Sequence, residues 1–125
     1  MDVRLVLPGN SDIPLLRLVG QRWYEHLLAG GIRIYERDST VLHAKAVVTD
    51  DAVSLLGSSN LDARSLYLNR EILVSLFDTD FARTLAGSFQ DDFARSREVQ
   101  LPLIRRRRLW ARLREHVAYM LSPAL

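Results

Sequence analysis

Apolar and polar positions along the chain fall into blocks whose period changes several times. Val3–Leu7 is a short apolar run closed by Pro8-Gly9-Asn10, which predicts a buried strand and a turn. Ser11-Asp12 offers a helix N-cap and Pro14 fits a first helical turn. Leu15, Leu18, Val19, Arg22/Trp23 and Leu27 then recur at helical spacing up to Gly30-Gly31, so one helix is expected over about residues 13–29. Gly31–Glu36 alternates weakly, as a strand does. Val41–Thr49 is rich in β-formers and ends in Asp50-Asp51, after which Ala52–Leu56 returns, the pattern of a hairpin. Gly57-Ser58-Ser59-Asn60 reads as a polar loop, and Leu61–Leu68 as a short helix capped by Ser59 or Asn60. Glu71–Phe77 is nearly all apolar, which predicts a central strand. Asp78-Thr79-Asp80 caps a helix carrying Phe81, Leu85, Phe89 and Phe93 at every fourth position. A last helix, about Leu101–Leu121, gathers Leu109, Trp110, Leu113, Val117, Met120 and Leu121 on one face and ends at Ser122-Pro123. The order β-α-β-β-β-α-β-α-α implies an α/β domain with a mixed β-sheet flanked by helices.

Composition narrows the class. At 125 residues, 48% hydrophobic and 26% charged, the chain is close to a globular average and large enough for about one domain. It has no cysteine, which excludes a disulfide framework and any thiolate metal site. No apolar run is long enough to cross a bilayer, and Met1-Asp2-Val3-Arg4 lacks the order of a signal peptide, so a soluble or peripheral segment is expected. The abrupt start at a strand reads as the beginning of a piece of a longer protein.

The net charge of +2 hides an uneven distribution: residues 1–98 carry −3, and residues 99–125 carry +5 from six arginines and one glutamate. A tail of that sign fits an anionic partner such as phospholipid or nucleic acid. The amphipathic Leu101–Leu121 segment, with Arg105–Arg108, Arg112, Arg114, Trp110 and Tyr119, fits a helix lying in a membrane interface. It equally fits a terminal helix that packs its apolar face on the domain and leaves its arginines solvated. Its four consecutive arginines do not by themselves separate lipid from nucleic acid phosphates.

The basic residues comprise 16 arginines and a single lysine, Lys45. His43 and Lys45 share parity in the expected Val41–Thr49 strand, so an imidazole and an ammonium leave one face side by side. An exposed hairpin face with both groups solvated is the simpler reading of that pair alone. The Gly57-Ser58-Ser59-Asn60 turn then opens a helix, where free N–H groups and short polar side chains make a seat for phosphate. An ordinary cap would look the same. Glu71 can orient an imidazole, or be a surface acid at a strand end.

Together these residues spell His43-Ala44-Lys45, Asp50, Gly57-Ser58-Ser59-Asn60 and Asn69-Arg70-Glu71. The string resembles the HxKxxxxD, GSxN and NxE signature of the phospholipase D superfamily. Asn60-Leu61-Asp62-Ala63-Arg64-Ser65, Trp23-Tyr24-Glu25-His26-Leu27-Leu28, Arg107-Arg108-Leu109-Trp110 and Leu121-Ser122-Pro123 extend the resemblance to the C-terminal half of bacterial cardiolipin synthases.

The resemblance implies residues 1–100 as a phospholipase D-like half-domain with one motif, and 101–125 as a basic amphipathic helix. It implies a phosphatidyltransferase in which one motif histidine forms a phosphohistidine while a second, from another copy of the motif, serves as acid and base. His43 would take one of these roles. Lys45 and Asn60 would bind phosphate oxygens with Ser58 assisting, and Glu71 would hold the His43 ring. Asp50 and Gly57 would be structural. No metal or other cofactor is needed, because Lys45 and its counterpart supply the positive charge. The implied partners are a phosphatidylglycerol-like phospholipid, the membrane surface, and either the N-terminal half of the same protein or a second identical chain. The implied location is the cytoplasmic face of a bacterial inner membrane. His26 and His116 lack a Lys or Asn at motif spacing, so the chain holds one motif. Small single-motif nucleases of the superfamily pair two chains about a two-fold axis, which leaves a homodimeric phosphodiesterase or nuclease as the alternative.

Overall fold

The computed structural model describes residues 1–10, 14–38, 42–60, 65, 67–106 and 117. The chain divides into two compact units, one formed by Met1–Leu42 with Asp92–Leu125, the other by His43–Asp91.

In the first unit, β1 (Arg4–Pro8) and β2 (Arg33–Arg37) pair in parallel from Arg4↔Arg33 to Pro8↔Arg37. Parallel strands need a crossover, and the chain supplies it with α1 (Pro14–Gln21) and α2 (Tyr24–Ala29). The periodicity predicts one helix here, but a turn at Arg22-Trp23 divides it. Gly20, a weak helix former, stands just before the break, and its carbonyl accepts the Trp23 N–H at 3.1 Å. The end of α2 follows the expectation. Gly31 is left-handed (φ 86°), Ile32 N–H reaches the Leu27 carbonyl and Gly31 N–H the Leu28 carbonyl, the bond pair of a Schellman cap.

A two-residue strand, β6 (Arg97–Glu98), pairs antiparallel on the other side of β2 and makes this sheet mixed, in the order β1-β2-β6. Tyr24, Ile34, Val99 and Ile104 form its buried core, with Leu5, Leu7, Leu27 and Leu28 packed around them. Ile104 belongs to a short helix at Leu101–Arg105, whose Arg105 also pairs with Glu25 of α2 at 3.4 Å. The start of the basic tail therefore packs on its own unit. The remainder of the expected Leu101–Leu121 helix lies outside the described residues, apart from Arg106, which closes the helix, and an exposed helical Val117.

The second unit holds an antiparallel sheet in the order β3-β4-β5, with β3 at Ala46–Thr49, β4 at Val53–Gly57 and β5 at Leu73–Phe77. The expected hairpin is present. Asp50 and Asp51 both take left-handed backbone angles (φ 51° and 49°), and Ala52 N–H closes the turn on the Thr49 carbonyl at 3.1 Å. Aspartate is one of the few residues that tolerate this conformation, which suits the right-handed twist of a hairpin. Two expectations change. The ladder of β3 begins at Ala46, so His43 and Lys45 precede the regular strand. Within this unit's sheet β4, not the apolar β5, is the middle strand. β5 is exposed at Leu73, Val74 and Phe77, so its apolar run marks neither a buried strand nor which neighbours pair with it.

The helix Thr79–Ala94, α3, starts as expected, with Asp78 Oδ1 accepting the Asp80 and Phe81 N–H groups at 2.9 Å each. Its Phe93 stands 4.8 Å from the Tyr35 ring, centroid to centroid. Of the helix expected over Leu61–Leu68, Ser65 and Tyr67 are helical and Leu68 is in a turn; the rest lies outside the described residues.

Candidate active site

The sequence-predicted residues His43, Lys45, Asp50, Gly57, Ser58, Asn60 and Glu71 all lie in the second unit. His43 is brought to Lys45 by direct contact rather than by strand parity. The Lys45 Nζ stands 3.1 Å from Nδ1 and 3.0 Å from Nε2 of the exposed imidazole, and it donates to the His43 carbonyl at 2.8 Å. The Lys45 carbonyl is fixed in turn by the Gly57 N–H at 3.1 Å. That bond ties the His43-Lys45 segment to the end of β4.

At Gly57 the backbones of β4 and of the segment entering β5 approach closely. A Cβ built there would run into the Ile72 carbonyl oxygen and stand 3.0 Å from the Leu73 Cα. Glycine is needed for this close approach, since any side chain would push the strands apart. The next residue uses the proximity: Ser58 N–H donates to the Ile72 carbonyl at 3.0 Å, and the Ser58 hydroxyl accepts the Ile72 N–H at 3.1 Å.

The same hydroxyl donates to Glu71 Oε2 at 2.5 Å, and Asn69 Nδ2 donates to Glu71 Oε1 at 3.3 Å. The bonds from Ser58, above all, and then Ser65 hold the Glu71 carboxyl below the usual glutamate range against the opposing pull of desolvation; Asn69 and the charge of Lys45 add to them. The carboxylate oxygens thus go to Ser58 and Asn69, and the His43 ring goes to Lys45. A direct bond between Glu71 and His43 is not among these contacts. Asn60 is exposed at the far end of the turn, its carbonyl accepting from the Ser59 hydroxyl at 3.3 Å. Asp50 sits in the left-handed hairpin turn.

Sequence reading missed Ser65. It is 6% exposed, and its hydroxyl bonds Glu71. The only available signal was its place in the Asn60–Ser65 stretch, six residues before the acid. It also missed Glu36 of the first unit, a carboxylate 3% exposed that gathers Arg97 at 2.5 Å, Tyr24 Oη at 3.1 Å, Gln21 at 3.3 Å and Arg17 at 3.4 Å. Strand alternation gives no hint that a charge at that position is buried. Among the described residues no group of three or more histidine or acidic side chains could hold a metal ion, and no helix is long and apolar enough to cross a membrane.

Residues 1–93 match the family described as cardiolipin synthase, PLD-like domain. Cardiolipin synthase A of Salmonella arizonae is 39% identical over 125 residues, which is all of this chain and 26% of that protein; the enzyme of the same name from Salmonella newport is equally similar. The chain thus spans about a quarter of the length of these relatives. A crystal structure of Nuc, a phospholipase D family member from Salmonella typhimurium, superposes with a TM-score of 0.68 at 18% identity, over 80% of this chain and 65% of that one, and so shares the fold. With the motif residues gathered in one unit and the family matched over most of its length, the chain belongs to the cardiolipin synthase, phospholipase D-like domain family.

Proposed function

We propose that this chain is the C-terminal catalytic half of a cardiolipin synthase-type phosphatidyltransferase. The observation that carries the reading is the Lys45 ammonium 3.0 Å from the His43 ring, with its charge felt by an ionised Glu71, in a chain of this family. In the reaction a motif histidine nitrogen attacks the phosphorus of a phosphatidylglycerol-like donor. The N–P bond forms as the bond to the headgroup alcohol breaks, and a second histidine protonates that alcohol. The hydroxyl of a second phospholipid, deprotonated by that same group, then displaces the histidine. His43 is one of the two histidines. Lys45 turns from the imidazole to the non-bridging oxygens when phosphate enters, and Asn60 donates to them. Asp50 and Gly57 shape the turns that carry these groups. Residues 1–100 act as the half-domain and 101–125 as a basic segment facing anionic headgroups at the cytoplasmic surface of the membrane. The second motif comes from an N-terminal half of the same protein.

The test is His43→Asn in the full-length protein. Turnover is expected to fall on the order of 10⁴-fold, as losing a covalent nucleophile or its acid-base partner does, with binding to phosphatidylglycerol vesicles retained. Retained turnover refutes the assignment. The alternative, a homodimeric phosphodiesterase or nuclease, draws on the single motif in the chain. It requires a dimer by solution mass and phosphodiesterase activity of the chain alone, and a monomer without activity removes it.

A further inference from the structure

We infer that Ser65 is a positioning residue which, together with Ser58, fastens Glu71 as a fixed anion beside the His43-Lys45 pair, so that Glu71 acts by its charge and not by carrying a proton. The inference rests on the phosphoryl-transfer reading above and adds to it a residue and a role. An ionised carboxylate only accepts hydrogen bonds, whereas its protonated form must donate one. Glu71 meets donors on both oxygens: Ser58 at 2.5 Å on Oε2 and Asn69 at 3.3 Å on Oε1. Ser65, 6% exposed, adds a third donor, the second hydroxyl of the set. Protonating Glu71 gives up an accepting oxygen that these donors use, so the set favours the anion.

The arrangement also redirects Ser58. Its hydroxyl has one proton, which goes to Glu71, while its oxygen takes the Ile72 N–H. While Glu71 is ionised, Ser58 has no proton to offer a phosphate oxygen, and it influences the reaction through the carboxylate. Direct phosphate binding then falls to Lys45 and Asn60.

Two measurements test this. The first follows the Glu71 carboxyl carbon by NMR during an acid titration of the protein. Ser65→Ala and Ser58→Ala are each expected to move its midpoint upward, toward the ordinary glutamate value. A midpoint unmoved by Ser65→Ala overturns the inference. The second is a turnover cycle in the full-length enzyme. Ser65→Ala is expected to lower turnover about tenfold when Glu71 is present, and less than about twofold in a Glu71→Gln background, because the coupling runs through the carboxylate. Equal losses in both backgrounds overturn it, since a merely structural serine would give that result. If Ser65→Ala does not fold, Ser65→Cys, which keeps the size of the side chain but is a weaker donor, takes its place in both measurements. The titration reads Glu71 without any turnover. Its outcome therefore stands apart from a failure of His43→Asn to abolish activity, which would overturn only the reaction.

Discussion

Replacing Gly57 by alanine tests the link between the fold of the second unit and its chemistry. The added methyl group overlaps the Ile72 carbonyl oxygen and stands 3.0 Å from the Leu73 Cα and 3.1 Å from the Ile72 carbonyl carbon, none of them a flexible side-chain end that can swing away. Restoring ordinary contact requires β4 and β5 to separate by about 1 Å at this point. Two backbone bonds anchored there are strained together: Ser58 N–H to the Ile72 carbonyl at 3.0 Å, and Gly57 N–H to the Lys45 carbonyl at 3.1 Å. With each contributing about 1 kcal/mol net, and overpacking adding about 1–3 kcal/mol, the expected destabilisation is about 3–5 kcal/mol. Lys45 and Ser58 hang on those same bonds, so a shift of about 1 Å also misplaces the His43-Lys45 pair against Glu71, a displacement that typically lowers turnover about 100-fold. Urea denaturation gives the first number, and turnover of folded enzyme well below the denaturation midpoint gives the second. A Gly57→Ala protein within about 0.5 kcal/mol of the parent and within twofold in turnover would show that the close approach neither shapes the strand pair nor holds the site.

Two further outcomes concern charge. Glu36→Ala removes the acceptor of the buried Tyr24 hydroxyl and of Gln21, and the counter-charge of Arg97 and Arg17. Because the two arginine side chains are 57% and 36% exposed and can rehydrate, the loss is placed at about 2–3 kcal/mol, below the full value for a broken buried pair. Thermal unfolding should show it as a drop of roughly 10 °C or more, with Glu36→Gln milder because it keeps an acceptor for Tyr24; an unchanged midpoint would remove Glu36 as the hub of the first unit. The second outcome is acid sensitivity: Glu71, through Ser58, and Glu98, through Arg33, have carboxyl groups held below their ordinary range. Their contribution is full above the ordinary carboxylate value and is lost as pH falls through the lowered folded values, because the unfolded chain binds those protons first. Urea midpoints should fall between pH 5 and pH 3, less steeply in Glu98→Gln and in 1 M salt; a flat profile contradicts both assignments.

The elements set by local chemistry were legible in the sequence. Gly30-Gly31 ends α2, Asp50-Asp51 turns the hairpin and Asp78 caps α3, each through a conformation or bond that the residue type itself favours. The spacing of His43, Lys45, Gly57, Ser58 and Glu71 likewise named the groups that gather in one unit. What the sequence could not supply was partner choice. The imidazole goes to Lys45 and the carboxylate to Ser58 and Asn69, because a side chain takes the partner that tertiary structure brings within reach, and strand parity carries none of that. The break at Arg22-Trp23 and the burial of Glu36 have the same origin. Helical periodicity runs through a turn without changing phase, and a lone acid in a strand reads as solvated until Arg97, Tyr24 and Gln21 are found around it.

The hairpin and its return strand have a consequence for how the molecule comes together. His43 and Glu71 lie within a stretch of 29 residues. The ladder that joins them starts from Thr49↔Val53, four positions apart, and ends at Gly57↔Leu73, sixteen apart. The parallel pair Arg4↔Arg33 has to close a loop of twenty-nine positions before its first contact forms. Low contact order and a microsecond-scale hairpin favour early assembly of the β3–β4 pair. The groups this chain brings to the site are thus encoded in one near-contiguous stretch, joined by short-range pairing.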